Sequence, residues 1–252
     1  MAKVQFLGGS KPAYMTAIGG VITTDGDYKI HTFNSSGDFQ VTSLGSNPII
    51  DFMLIAGGGS GGRCPTNHSA GGGGAGGLIY AVNQSITLGI KPIVIGNGGA
   101  SQTIDTQGNN GQNSTFLGNT AIGGGGGGST TSSSSGSGGS GGGGAYIAPA
   151  GTGTAGQGFA GGAYIGANAG CGGGGSGQVG LSATSNNGAN GGIGRQTYIK
   201  STNDYFAAGG GGGPYSSGTI GLGGNGGGGG GGYGVDSGAG GSGVCIIRYK
   251  FQ

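Results

Sequence analysis

A mainly β chain with a glycine-rich body and almost no α-helix is the fold class that three observations predict. The first is a series of seven glycine tracts, Gly57 to Gly59, Gly71 to Gly74, Gly123 to Gly128, Gly141 to Gly144, Gly172 to Gly175, Gly209 to Gly213 and Gly223 to Gly232, the last interrupted by Asn225. The second is a set of short β-branched segments confined to residues 20–95 and 243–250. The third is that no apolar stripe at helical spacing survives over a useful length, and glycine costs roughly 1 kcal/mol relative to alanine in a helix.

The tracts admit two readings. A single glycine run loses much backbone entropy on ordering and buries nothing, which favours a flexible linker. A bundle of extended, threefold glycine helices is the alternative, because such helices have no internal hydrogen bonds and can satisfy one another's N–H and C=O groups. The intervening residues favour the bundle. Leu78-Ile79-Tyr80, Tyr146-Ile147, Phe159, Tyr164-Ile165, Tyr205-Phe206, Tyr215 and Tyr233 lie beside tracts, and such residues are scarce in disordered chains. The serine run Ser129 to Ser140 is the piece expected to be looped or disordered. Collagen is disfavoured, since the Gly-x-y register is not kept and only 6 residues are proline.

The strands follow in order. Thr24-Asp25-Gly26-Asp27 reads as a turn between Val21-Ile22-Thr23 and Tyr28 to Phe33, with Asp-Gly as its signal. A second turn at Asn34 to Asp38 precedes Phe39-Gln40-Val41, and Pro48 precedes a strand over Ile49 to Ile55. Apolar residues on both sides of that last segment predict burial of both its faces. Leu78 to Val82 and Ser85 to Leu88 read as two strands joined at Asn83-Gln84, and Lys91 to Ile95 as another. The closing segment Val244 to Tyr249 is expected to return to the N-terminal sheet, leaving the body as an excursion pinned at both ends. The expected divisions are 1–27, an attachment segment; 28–99, strand-rich; 100–242, glycine body with loops; and 243–252, the closing strand.

Composition narrows the chemistry. Of 252 residues 77 are glycine, 33% are hydrophobic and only 6% charged, so a conventional core can form only locally, and oligomerisation would help the chain. A net charge of +2, from nine Lys and Arg against seven acidic residues, is too weak for a nucleic-acid surface. Three cysteines, Cys64, Cys171 and Cys245, are odd in number and widely spaced, which predicts buried free thiols. Residues 1–20 contain no apolar stretch long enough for a secretory signal, and no run approaches a membrane span.

Catalytic and ligand-binding patterns are weak throughout. The Walker arrangement lacks its Lys-Ser/Thr, and the dinucleotide fingerprint lacks its following helix. Cys64 and His68, with Cys171, His31 or an aspartate, are too few and too scattered to predict a metal site. No nucleophile elbow stands near either histidine, and glutamate is absent, so a non-enzyme without cofactor or metal is expected. Surface recognition remains. Loops at 63–69, 130–140, 146–159, 164–168, 181–190, 198–206 and 215–220 would be held by a rigid body yet free to vary. Candidate recognition residues are Tyr146, Phe159, Tyr164, Asn168, Tyr198, Tyr205, Phe206 and Tyr215; candidate docking residues are Phe6, Leu7, Tyr14 and Ile18. Tyrosine offers contact area and a hydrogen bond at low entropic cost, although each ring could equally cap a glycine tract.

The ordered series Phe33-x5-Phe39-x-Val41, Asp51 to Gly59, Gly71 to Gly77, Ile93 to Gly99 and Gly240 to Tyr249 resembles the glycine-rich domains of tailed-phage tail fibres and related virion proteins. A vaguer likeness is to a glycine-rich ectodomain segment of certain receptor tyrosine kinases, from which the sparse cysteines depart. The phage resemblance covers about residues 28–250. It implies a virion component carrying polyglycine II helices and host-recognition loops, with fibre or capsid proteins and a host surface protein or glycan as partners. The thin core favours a homo-oligomer, a trimer among the candidates, and the weak charge and short apolar runs predict neither a nucleic-acid partner nor membrane insertion. Only about 27 residues precede the matching part, which suggests a small adhesin, head fibre or decoration protein docked through residues 1–27. A structural capsid or fibre decoration protein without receptor binding, and a non-viral extracellular glycine-rich structural protein, are the alternative expectations.

Overall fold

The computed structural model describes residues 14–65, 68–132, 134–200, 202, 204–214 and 226–252. Two antiparallel sheets form its hydrophobic part. The larger is built from β2 (Val21–Asp25), β3 (Tyr28–Phe33), β5 (Ile49–Ile55), β7 (Leu78–Ser85) and β14 (Val244–Lys250), in the order β2-β3-β14-β5-β7. The smaller joins β1 (Thr16–Ile18), β4 (Gly37–Ser43) and β8 (Gly89–Ile93) in the order β1-β4-β8. The remaining short strands are β6 (Arg63–Cys64), β9 (Ser114–Phe116), β10 (Asn119–Ala121), β11 (Arg195–Thr197), β12 (Asp204–Phe206) and β13 (Gly232–Tyr233).

The closing strand does return to the N-terminal sheet. β14 lies between β3 and β5, with Ile247 opposite His31 on one side and Phe52 on the other. Its central position explains its near-continuous apolar run, since both faces are covered. On one face Phe33, Phe52, Leu54, Cys245, Ile247 and Tyr249 share a core with Phe39 and Val41 of the small sheet and Phe116 of β9. On the other, Ile30, Met53, Ile55, Val244 and Ile246 pack with Leu78, Ile199 and Phe206. β5 is buried on both sides, as its sequence indicates.

A hydrogen-bonded relay ties the two sheets together. The His31 Nδ1–H donates to the Gly19 carbonyl at 2.7 Å, and its Nε2 stands 3.3 Å from the Tyr249 hydroxyl. That hydroxyl accepts from Ala17 N–H at 3.1 Å. With Nδ1 carrying the proton, a neutral imidazole leaves Nε2 free to accept the Tyr249 O–H. Burial holds His31 below the usual histidine range, with Lys29 adding to the effect and the Gly19 bond opposing it.

The bundle of polyglycine II helices must be corrected. No described residue lies in a helix of any kind, and the molecule is mainly β. The glycine tracts are non-helical segments ordered by bonds to one another. Gly57, Ser60 and Arg63 donate to Gln112, Asn109 and Thr106; Gly58 and Gly61 donate to Gly241 and Gly238; Gly59 and Gly62 donate to Gly74 and Gly71, all at 2.9–3.0 Å. The next tract continues the network, with Gly71, Gly74 and Gly77 donating to Gly128, Gly125 and Ile122. The physical reason is that glycine has no side chain to impose one local conformation, so each tract follows the carbonyls around it. Close approach then excludes any larger residue: a Cβ on Gly61 would fall on the Gly230 carbonyl, and one on Gly73 on that of Gly59.

Two smaller expectations also change, and a third narrows. Asn83-Gln84 does not separate two strands, because β7 runs through it, with Asn83 at φ 54° in a bulge opposite Asp51. The strand expected over Lys91 to Ile95 is shifted to Gly89–Ile93. Of the two expectations for Ser129 to Ser140, looped or disordered, the described residues form a loop, and one with Ser129, Ser135 and Ser140 buried and Ser135 Oγ donating to Gly143 O at 2.8 Å. Residues 223–225 of the last tract lie outside the described residues.

Candidate recognition surface

Tyr146 and Ile147 occupy the tip of a tight turn. Ala145 N–H donates to Ala148 O and Ala148 N–H to Ala145 O, both at 3.0 Å, and both alanines are buried. This reciprocal clamp leaves Tyr146 45% and Ile147 58% exposed. The base of the turn is held by Gly144, which donates to Gly162, and by Cys171, which donates to Gly144 O. The clamp fixes where the two large side chains leave the body, so binding through them forfeits little backbone entropy.

The structure brings part of the expected set together here. Tyr146 is 6.0 Å from Tyr164, edge to face, and 4.4 Å from the His68 ring. Desolvation pushes the Tyr164 hydroxyl up, with Tyr146 and Cys171 adding to the shift. His68 is half-buried, its ring tilted against that of Tyr146, rather than fully exposed as a loop histidine would be. Ile147, Ile165 and His68 were not singled out as recognition residues. The visible signal was a pair of large residues, Tyr146-Ile147, set between two alanines at the end of a tract.

The other candidates are placed separately. Tyr198 and Tyr205 belong to the β11–β12 hairpin and are 62% and 63% exposed. Phe206, their neighbour, is only 9% exposed and packs against Met53 and Ile246 in the second core, so it is a structural residue rather than a recognition residue. Phe159 is exposed beside Val179 and Arg195 in a shallow groove. Asn168 is exposed in the turn after Ile165. Of the docking set, Tyr14 and Ile18 are exposed at the start of the small sheet; Phe6, Leu7 and Tyr215 lie outside the described residues.

Among the described residues no group of three or more His, Cys, Asp or Glu side chains could hold a metal. His31, offered as a distant third ligand, is committed to the core relay. Cys64, Cys171 and Cys245 are free and buried, and burial pushes all three thiols up. No helix among the described residues is long and apolar enough to cross a membrane.

Fold and surface together define a two-sheet β core from which a side-chain-poor, mutually hydrogen-bonded glycine body projects large residues on short turns. A family model described as a glycine-rich domain matches residues 34–250, and the chain belongs to that family. No curated protein matches the chain.

Proposed function

We propose that the chain is a non-enzymatic recognition module of a tailed-phage virion, a tail-fibre or adhesin component that contacts the host surface. The observation that carries the reading is the clamped Tyr146–Ile147 tip, where a rigid glycine stem holds an aromatic and an aliphatic residue out in solvent. Exposed aromatic residues on pre-organised turns fit protein or glycan surfaces, because they add contact area with little backbone ordering penalty. The resemblance of the ordered glycine-rich series to tailed-phage fibre domains is what supports a virion setting. Homo-oligomeric assembly and attachment through the N-terminal segment belong to the same proposal.

The test is adsorption. Purified protein, or particles carrying it, is compared with variants Tyr146→Ala with Ile147→Ala, and Tyr198→Ala with Tyr205→Ala. At least one pair should lose host-cell binding while its melting temperature stays at the parent value. Parental adsorption by both pairs would overturn the proposal.

A further inference from the structure

A cavity of about 300 Å³ opens where β5 begins and β14 ends, on the β-sheet part of the molecule. That volume lies at the lower end of small-molecule sites, about 300–1,000 Å³. Its wall includes the rings of Tyr14 and Tyr28 and the polar groups of Asn47, Asp51, Asn83 and Arg248.

Two of these polar groups, Arg248 and Asp51, are fixed in place by the fold. The Arg248 guanidinium donates to Asp51 Oδ2 at 2.7 Å and to the Tyr198 carbonyl at 2.8 Å, and it lies 4.8 Å over the Tyr28 ring. Asp51 Oδ1 accepts the Asn83 N–H at 2.9 Å, at the point where β7 bulges. A bulge that re-aims a side chain beside a cavity is a common feature of binding sites.

Charge decides the ligand class. Arg248 and Asp51 neutralise one another, and Lys250 at the rim is paired with Asp27 at 3.4 Å. A charged ligand would meet no uncompensated partner. A neutral ligand rich in hydroxyls would meet guanidinium and amide donors, carboxylate and amide acceptors, and the exposed Tyr14 ring for its C–H face. We propose that this cavity binds a single neutral pyranose unit of a saccharide. The site is separate from the Tyr146 surface, and the proposal stands whether or not that surface binds a host.

The experiment titrates the full chain with a panel of neutral methyl hexopyranosides and the matching hexuronates, followed by calorimetry and saturation-transfer NMR. Tyr14→Ala and Asn47→Ala serve as variants, both at exposed positions. Saturable binding of at least one neutral pyranoside is expected, weakened at least about tenfold in each variant. Added salt should leave it unchanged, and Tyr146→Ala should leave it at parental strength. The proposal fails if no neutral pyranoside binds saturably, if both variants bind as the parent does, or if the hexuronate binds more tightly than its neutral counterpart.

Discussion

Replacing His31 with leucine keeps its approximate volume but removes both ends of the relay between the sheets. The Gly19 carbonyl loses its donor and the Tyr249 O–H loses its acceptor. An unpaired buried polar group costs about 1–3 kcal/mol. Gly19 is half-exposed and can recruit water, whereas Tyr249 is buried, so the combined loss is about 2–4 kcal/mol. For a chain of this size that corresponds to a fall in Tm of roughly 5–15 °C. The pH dependence gives an independent check. Because burial lowers the folded-state pKa of His31 below 6.5, the unfolded chain takes up a proton first as the medium is acidified. The contribution of His31 is therefore complete above that pH and is lost progressively below it. Urea unfolding of parent and His31→Leu at pH 7.5 and pH 5.5 should show a gap that narrows at the lower pH. A destabilisation within about 0.5 kcal/mol at pH 7.5, or a gap that widens on acidification, would refute the assigned neutral imidazole.

Other consequences are open to measurement. Gly61→Ala places a methyl group on the Gly230 carbonyl and should abolish folding or lower Tm more than Gly26→Ala, which meets no atom but must hold φ +55° at a cost of about 1–2 kcal/mol. Differential scanning calorimetry ranks the two variants, and equal Tm values would show that the tracts are not closely packed. Arg248→Met leaves Asp51 without its cation and should cost about 2–4 kcal/mol in denaturant unfolding, somewhat below the range for a fully buried pair, since the two side chains keep 20% and 16% exposure. Cys64, Cys171 and Cys245 should resist a thiol reagent in the native protein and all react after denaturation. Rapid native labelling of Cys245 would contradict its place in β14.

The sheets were legible because their signals are local. Asp25-Gly26 marks the β2–β3 hairpin, where Gly26 indeed takes φ +55°, and the apolar run at Ile49–Ile55 needs only its own side chains to announce two buried faces. The β9–β10 hairpin was not legible: its strands are three residues long, and its turn at Leu117-Gly118, with φ 46° and 74°, lies among asparagines and glycines. Tyr205 and Phe206 show the same limit at the candidate surface. Both are aromatic, and only the pairing of β12 with β11 decides which one faces solvent. The body was the least legible part. A glycine tract carries no record of its neighbours, so an expectation of helical rods had nothing to correct it until the partners of Gly57 to Gly62 were known. Serine content misled for a related reason: the run Ser129 to Ser140 reads as loop or disorder, yet Ser135 and Ser140 are buried, and Ser135 Oγ donates to a tract carbonyl.

The central claim is that the glycine body is ordered by hydrogen bonds between tracts and so holds its exposed turns in place. Native-state hydrogen exchange of the amides of Gly57 to Gly62 and Gly71 to Gly77 tests it most directly. Each of the donors named among these residues bonds to a carbonyl of another segment, so their protection should approach that of β5 and β14, and they should open together with the sheet. Exchange of these amides at the rate of an unstructured chain, with the sheets still protected, would contradict the account.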